Sequence, residues 1–295
     1  MDKKTRKEVA KQITKDYFPG ASNLQELKEG PLCSVFRLSK HPFVLKISSP
    51  ERIELEGEFY RVLREYDIPG IEAKKLESRV LLLTDLTRSS KWRLAEKKDL
   101  QKKEIGKSCA LWYKAFHDAG EKEIKKRPAL KEKLPWEAEQ IDAEKLNSAG
   151  EKLGVDKEKS WRKAEEVVDE IIRCVRPCVN TLTYNDFYFV NLAVERKDNG
   201  RITMFDFDHS GRGFRESDYR NVISSLGEEA AVEFKNLISP DPELMLFDSI
   251  LSVCYSVLVA SEREKIPGWV YPVLDYITSG EFSANIKKAR SLLRG

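Results

Sequence analysis

Residues Thr183 to Asp208 read TYNDFYFVNLAVERKDNGRITMFDFD, and this stretch decides how the rest of the chain is interpreted. It places Asp186, Asn191 and Asp206 in an order that suits phosphoryl transfer. The first side chain can accept a proton from an attacking hydroxyl, and the other two offer oxygen ligands for the magnesium of a nucleoside triphosphate. The order of these residues therefore predicts a catalytic base followed by a metal site.

The residues between them predict how they meet. Segments 192–194 and 201–205 have the apolar character of short strands, and Asn199-Gly200 between them is a strong hairpin turn signal. A hairpin returns the chain to its starting point, so we expect Asn191 and Asp206 to lie side by side at its open end. Two ligands of a shared metal need this arrangement.

Asp186-x4-Asn191, followed by a hairpin and Asp206-Phe207-Asp208, resembles the catalytic and metal-binding loops of the kinase-like phosphotransferases. Within them it is similar to the aminoglycoside phosphotransferase and choline kinase branch. That family commonly has His-Gly-Asp or His-Asn-Asp where this chain has Tyr184-Asn185-Asp186. The family's histidine mainly supports the loop, so its replacement concerns loop geometry more than chemistry. Asp208 stands where protein kinases have glycine, which favours the small-molecule branch.

The resemblance implies an α+β, bilobal protein-kinase-like fold. Residues 1–86 would form a nucleotide-binding lobe with an antiparallel sheet and one helix, and residues 87–295 a mainly helical lobe with the catalytic loop, metal loop and acceptor site. Sequence periodicity is consistent with this division. It predicts a helix over 1–17, a three-stranded sheet from 24–27, 34–38 and 43–47, a helix over 53–66, a further strand over 79–84, and mostly helices from residue 91 onward.

A phosphoryl transferase also needs a cation for the donor phosphates, held in place by an anion. Lys46, in the apolar strand segment FVLKI, is the candidate cation, although a lysine at a strand edge also commonly extends to solvent. Glu54, Glu56 and Glu58 on the following helix compete as its partner. Alignment with the family pattern from the end of that helix selects Glu56.

The remaining nucleotide contacts are assigned by resemblance. The loop expected over the triphosphate, Glu29 to Ser34, is poor in glycine, and Ser34 would add a hydroxyl to its backbone N–H groups. Thr84-Asp85-Leu86 matches the hinge that contacts the purine through its backbone. Asp218, after the metal loop, would brace the catalytic loop, and His117 is expected to be a packed histidine.

Composition limits the class of protein. Of the 295 residues, 41% are hydrophobic and 34% charged, and the net charge of +3 is too small to argue for nucleic acid. Five cysteines without a metal-binding pattern or a secretory signal favour a reduced, cytoplasmic protein. The apolar segment 244–260 is interpreted as a buried core helix, so no membrane association is expected.

These patterns lead to one main hypothesis, an ATP- or GTP-dependent, Mg²⁺-requiring phosphotransferase acting on a small-molecule hydroxyl. Two alternatives stay open, a weakly catalytic nucleotide-binding pseudokinase and a polyanion- or protein-binding scaffold that uses the Lys/Glu-rich segment 121–160. The expected acceptors are aminoglycosides, amino alcohols, sugars and related metabolites, and the sequence does not choose among them. Trp269, Tyr271 and Tyr276 could stack on an acceptor, although packing in the core is the expected role.

Overall fold

A computed structural model describes residues 2–21, 23–198 and 200–294. Its helices are α1 (Lys3–Tyr17), α2 (Pro50–Glu65), α3 (Lys103–Lys126), α4 (Pro128–Lys133), α5 (Ala143–Leu153), α6 (Lys159–Val175), α7 (Arg215–Ser225), α8 (Glu228–Ile238), α9 (Pro242–Ser261), α10 (Tyr271–Thr278) and α11 (Gly280–Leu292). Its strands are β1 (Leu24–Glu29), β2 (Ser34–Leu38), β3 (Phe43–Ile47), β4 (Ala73–Glu77), β5 (Val80–Thr84), β6 (Trp92–Leu94), β7 (Thr181–Thr183), β8 (Leu192–Glu195), β9 (Ile202–Met204) and β10 (Gly211–Gly213).

The chain forms two compact units, each assembled from separate segments. The first comprises Met1–Ala119, Asp186–Ser210 and Ser225–Ile238, and the second comprises Gly120–Asn185, Gly211–Ser224 and Ser239–Gly295. The lobe boundary between residues 86 and 87 stays a prediction. The α+β, kinase-like class, with a small antiparallel sheet followed by a mainly helical remainder, is confirmed.

The main sheet of the first unit has five antiparallel strands in the order β1-β2-β3-β5-β4. The sequence pattern finds β2 and β3 with the observed bounds. It misses β4, whose residues AKKLE are largely polar and lie on an edge of the sheet, where side chains face water.

Helix α1 covers one face of this sheet. Its residues Ala10 and Ile13 share a buried cluster with Leu45 and Ile47 of β3. Side chains alternate along a strand, so Lys46 lies on the opposite face, away from α1. Two apolar residues thus anchor the strand and fix the direction of the lysine between them.

The second part of the first unit contains the predicted hairpin. Strands β8 and β9 pair antiparallel, with Leu192 opposite Met204, and β6 adds a third strand that sequence patterning misses. The hairpin is therefore confirmed. Asn199, on which the turn prediction partly rests, lies outside the described residues.

The second unit is a helical core with a short β7–β10 pair. Its buried cluster is made mainly by α5, α6, α9 and α11. Within the described ranges, one helix, α9, is long and apolar enough to cross a membrane by length and composition. Its residues Phe247, Ile250 and Cys254 belong to the buried cluster, so α9 packs as a core helix.

Candidate active site

Lys46 and Glu56 form a buried ion pair. Their side chains are each 2% exposed, and Lys46 Nζ lies 2.7 Å from Glu56 Oε2. Helix α2 begins at its N-cap Ser49, whose side chain accepts from Arg52 N–H, and the first helical residue is Pro50, which suits that position. This start is three residues earlier than predicted. Of the three glutamates considered from the sequence, the structure pairs Lys46 with Glu56, the one that was predicted.

Three carboxylates surround the Lys46 ammonium. Besides Glu56, Asp206 Oδ1 lies 2.5 Å and Asp208 Oδ1 3.1 Å from Nζ. Burial raises the pKa of Glu56 to about 7, an effect that Lys46 opposes. Burial also acts against ionisation of Asp206, but Lys46 and Lys28 outweigh it and hold the pKa of that carboxyl well below its ordinary value.

This cluster has the chemistry of a site for a hard cation. One oxygen from each of Glu56, Asp206 and Asp208 lies within 4.8 Å of the others. Glu56 Oε1 is buried and makes no hydrogen bond within the described chain. Carboxylate oxygens are the ligands that Mg²⁺ prefers, and three carboxylates exceed the charge of the two neighbouring lysines. The residues present therefore fit a divalent cation.

Phe207 fixes the two aspartates that flank it. Its ring stacks on Phe59 with centroids 5.3 Å apart and an interplanar angle of 6°, and it meets Tyr60 edge-on at 5.0 Å. Both partners belong to α2, the helix that carries Glu56. Asp206 has a φ of 64°, a left-handed conformation that Asp tolerates better than most residues. Aromatic packing thus couples the metal loop to α2.

Asn191 connects the predicted base to the hairpin. Its Nδ2 donates to Asp186 Oδ2 at 2.7 Å, and its carbonyl accepts from Phe205 N–H at 3.2 Å. Asn191 and Phe205, the residue before Asp206, therefore meet at the open end of the hairpin, next to the Asn191–Asp206 pair that the sequence predicts. Burial raises the pKa of Asp186 above its ordinary value, although His209 opposes the shift.

A buried aspartate braces the residues directly before Asp186. Asp218, 0% exposed, accepts from Tyr184 N–H at 3.0 Å and from Asn185 N–H at 2.8 Å. Asn185 has a φ of 63°, and Asn221 Nδ2 donates to its carbonyl at 2.9 Å. Tyr184, in the position of the family's histidine, is fully buried. In the second unit, the turn before the base is thus held by packing and by a carboxylate.

The glycine-poor loop is pinned by its neighbours. Arg6 of α1, 4% exposed, donates to the carbonyls of Gly30 at 2.8 Å and Pro31 at 3.1 Å. Ser48 Oγ donates to the Leu32 carbonyl at 2.8 Å. Ser34 is fully buried, and its Oγ makes no hydrogen bond within the described residues. The loop is thus held in shape by side-chain contacts instead of by glycines.

Most polar groups of the predicted hinge, residues 84–86, are hydrogen-bonded within the chain. Thr84 N–H donates to Glu72 O at 3.0 Å, and Asp85 N–H donates to Pro42 O at 2.8 Å. The Asp85 carboxylate is buried against Arg37, with 2.5 Å between Nε and Oδ2. Leu86 N–H has no acceptor in the part of the chain that the structure describes. Of the three hinge residues, Leu86 is the one whose N–H is available to a ligand.

Lys28 also contacts the carboxylate cluster, which the sequence does not predict. Its Nζ lies 2.8 Å from Asp206 Oδ2, on the oxygen that Lys46 leaves open. In the sequence LQELKE it resembles any exposed lysine of a strand, and nothing local marks it.

The expected core role of two aromatic residues is wrong, because Trp269 and Tyr271 are 50% and 54% exposed. His117 is buried, as expected, beside the rings of Tyr113 and Phe116.

The fold is that of the kinase-like phosphotransferases. The model of the phosphotransferase enzyme family matches residues 25–238. The chain belongs to this family, and it is a small-molecule kinase. No curated protein sequence matches the chain.

Solved structures share the fold over almost the whole chain. An ethanolamine kinase from Plasmodium vivax has a TM-score of 0.66 at 14% identity, covering 96% of this chain and 91% of its own. A choline/ethanolamine kinase family protein from Mesorhizobium loti has a TM-score of 0.61 at 12% identity, with coverages of 97% and 99%. The ADP-bound aminoglycoside phosphotransferase APH(2'')-Ib has a TM-score of 0.56 at 15% identity, with coverages of 94% and 98%.

Proposed function

We propose that this protein transfers the γ-phosphate of ATP or GTP to a hydroxyl of a small molecule, with Asp186 as the base. One observation carries the proposal. Lys46 holds Glu56, Asp206 and Asp208 around one ammonium group, and the hairpin that ends at Asp206 begins at Asn191, whose amide holds Asp186. A cation for phosphates, carboxylates for a metal and a buried base are the components of a phosphoryl-transfer site.

In the proposed mechanism Asp186 orients the acceptor hydroxyl and takes its proton as the oxygen attacks. Such a base contributes about 10²–10⁴-fold to the rate. The amide of Asn191 fixes the carboxylate for this step. Lys46, positioned by Glu56, binds the donor phosphates. Asn191 and Asp206, assisted by Asp208, would hold Mg²⁺, which neutralises phosphate charge when bound.

Nucleotide recognition is assigned to the loop and the hinge. Leu86 N–H is the free donor for a purine, and the other hinge residues hold the segment in place through Glu72, Pro42 and Arg37. Backbone recognition of this kind selects a purine without separating ATP from GTP. Ser34 faces the interior, so its contribution is to the shape of the loop.

The acceptor class is proposed to be a polar small molecule with a free hydroxyl, in the cytoplasm. The five free thiols are consistent with that compartment. The similar structures include an ethanolamine kinase and an aminoglycoside phosphotransferase, so ethanolamine and aminoglycosides are the first compounds to screen. A screen of amino alcohols, sugars and aminoglycosides for an ATP-dependent mass gain of one phosphate identifies the acceptor.

The decisive variant is Asp186→Asn. It removes the base but keeps the size of the side chain, so we expect transfer to be abolished while nucleotide affinity stays within about twofold of wild type. The matched control is Asp169→Asn, the same substitution on the exposed face of α6. Undiminished phosphorylation by Asp186→Asn, measured by mass spectrometry of the product, would refute the role.

A nucleotide-binding pseudokinase is the second candidate. The loop between β1 and β2 favours it, because Gly30 N–H is already bonded to Cys33 O at 2.9 Å and Pro31 has no N–H to offer a phosphate. Single-turnover incubation with ATP and Mg²⁺ separates the two functions. Release of phosphate or phosphorylation of an acceptor supports the enzyme, and binding without turnover supports the pseudokinase.

A further inference from the structure

Lys28 reaches the phosphate site because of an irregularity in β1. Glu26 is opposite Phe36 of β2, but the register then shifts and Lys28 is opposite Val35. The extra residue, Leu27, forms a bulge, which places two residues opposite one and turns the strand. In a regular ladder Leu27 would take this place and Lys28 would point to the other face.

The bulge brings Lys28 and Lys46 to one face of the sheet. Val35 is opposite Lys28 on one side and opposite Lys46 on the other. Residues directly opposite each other in a ladder share a face. The two lysines therefore lie across three adjacent strands, pointing in the same direction.

Both ammonium groups bind one carboxylate. Lys28 Nζ lies 2.8 Å from Asp206 Oδ2, and Lys46 Nζ lies 2.5 Å from Asp206 Oδ1. The lysines differ in exposure, with 54% of the Lys28 side chain and 2% of the Lys46 side chain accessible. Lys46 is fixed in place, whereas the flexible stem of Lys28 can exchange one anion for another.

The first two residues of the adjoining loop provide little of their own to a phosphate. Backbone N–H groups form the usual phosphate cradle. Here Gly30 N–H is used by Cys33 O, and Pro31 has no N–H. Arg6 fixes the carbonyls of both residues, so the loop is not free to reorient. A phosphate beside this loop needs a positive charge from another residue. Lys28 is an exposed lysine two residues before Gly30 in the chain.

We propose that Lys28 binds the phosphates of the nucleotide as a second cation beside Lys46. The inference rests on the proposed function. Lys28 exchanges the Asp206 carboxylate for phosphate oxygens as the nucleotide enters, which releases one Asp206 oxygen for other ligands. The charge of Lys28 thus supplies part of the phosphate binding that a glycine-rich loop provides through its backbone N–H groups.

The test is calorimetric titration of ATP, ADP and adenosine into wild type, Lys28→Met, Lys28→Gln and Lys28→Arg. Methionine keeps the stem and removes the charge, glutamine is a second neutral variant, and arginine restores the charge. Lys75→Met is the matched control, an exposed lysine on β4 at the other edge of the same sheet.

We expect both neutral variants to weaken ATP and ADP binding by about tenfold to a hundredfold, the range for loss of a charge-assisted hydrogen bond. Adenosine affinity stays within about twofold, because adenosine carries no phosphate. Lys28→Arg recovers most of the affinity, and Lys75→Met binds as wild type.

Three results would overturn the inference. Wild-type ATP affinity in both neutral variants would show that Lys28 makes no phosphate contact. Tighter ATP binding would show that Lys28 blocks Asp206 instead of serving the nucleotide. An equal loss for adenosine would show a change in the shape of the site. If wild type itself binds no nucleotide, the proposed function fails as well, which is a separate and recognisable outcome.

Discussion

Glu56→Gln tests whether the raised pKa of Glu56 makes the free energy of unfolding depend on pH. In the folded protein the pKa of Glu56 is raised to about 7, from an ordinary value of 4.5. Burial is the main cause, and the charges facing Glu56 are Lys46, Asp206 and Asp208. A raised pKa means that the folded state holds the proton more tightly than the unfolded state does. The stabilising contribution is complete below pH 4.5 and is lost as the pH rises through 7.

The size of the effect follows from these two values. A tenfold difference in proton affinity is about 1.4 kcal/mol, and linkage between pH 5 and pH 8 then gives about 2.5 kcal/mol. The free energy of unfolding of wild type should fall by this amount relative to Glu56→Gln, which cannot titrate. Groups away from Glu56 are common to both proteins and cancel in the difference, and its neighbours Lys46 and Asp206 stay charged throughout this range because the pKa of Lys46 is raised and that of Asp206 is lowered.

The assay is urea unfolding of both proteins at half-unit steps from pH 5 to pH 8, without nucleotide or metal. The matched control is Glu54→Gln, the same substitution at an exposed position on α2. A difference between wild type and Glu56→Gln that stays flat within about 0.5 kcal/mol across this range would refute the reasoning. It would show that Lys46 fully compensates for the burial of Glu56.

Two further predictions concern the supports of the site. Asp218→Asn places an amide against the N–H groups of Tyr184 and Asn185, so we expect a loss of about 1.5–3 kcal/mol in urea unfolding and a larger fall in kcat than in nucleotide affinity. Wild-type kcat in this variant would contradict a bracing role. Phe207→Ala opens a cavity against Phe59 and should cost about 3–5 kcal/mol, with Phe207→Leu well below that. Equal unfolding midpoints for the two variants would show that the ring does not fill this space.

The sequence predicted correctly those features that depend on residues close together in the chain. The bounds of β2 and β3 follow from alternating apolar residues between turn signals, and the hairpin from its two short strands. Lys46 could be found because the predicted base and metal ligands call for a cation, and this lysine lies on a predicted strand; its apolar neighbours alone also fit a lysine that extends to solvent. The choice of Glu56 needed the family pattern, since spacing alone does not separate it from Glu54.

The parts that sequence missed depend on contacts between distant segments. Strand β4 is polar because it lies at an edge, so its pairing with β5 leaves no periodic signal. Lys28 reaches Asp206 only because of a bulge, and nothing in the residues around Leu27 marks one. The shape of the nucleotide loop depends on Arg6, which is 24 residues away from Gly30 in the chain. Such contacts are properties of packing, which a single sequence does not display.

The two hydrogen bonds from Arg6 link helix α1 to the loop of the proposed nucleotide site. Helix docking and loop shape become one equilibrium, because Arg6 loses the carbonyls of Gly30 and Pro31 when α1 leaves the sheet. Local opening of α1 costs less free energy than global unfolding. Nucleotide affinity would therefore decline on warming before the rest of the fold melts. A titration of nucleotide at several temperatures would then measure how firmly α1 is docked on the sheet.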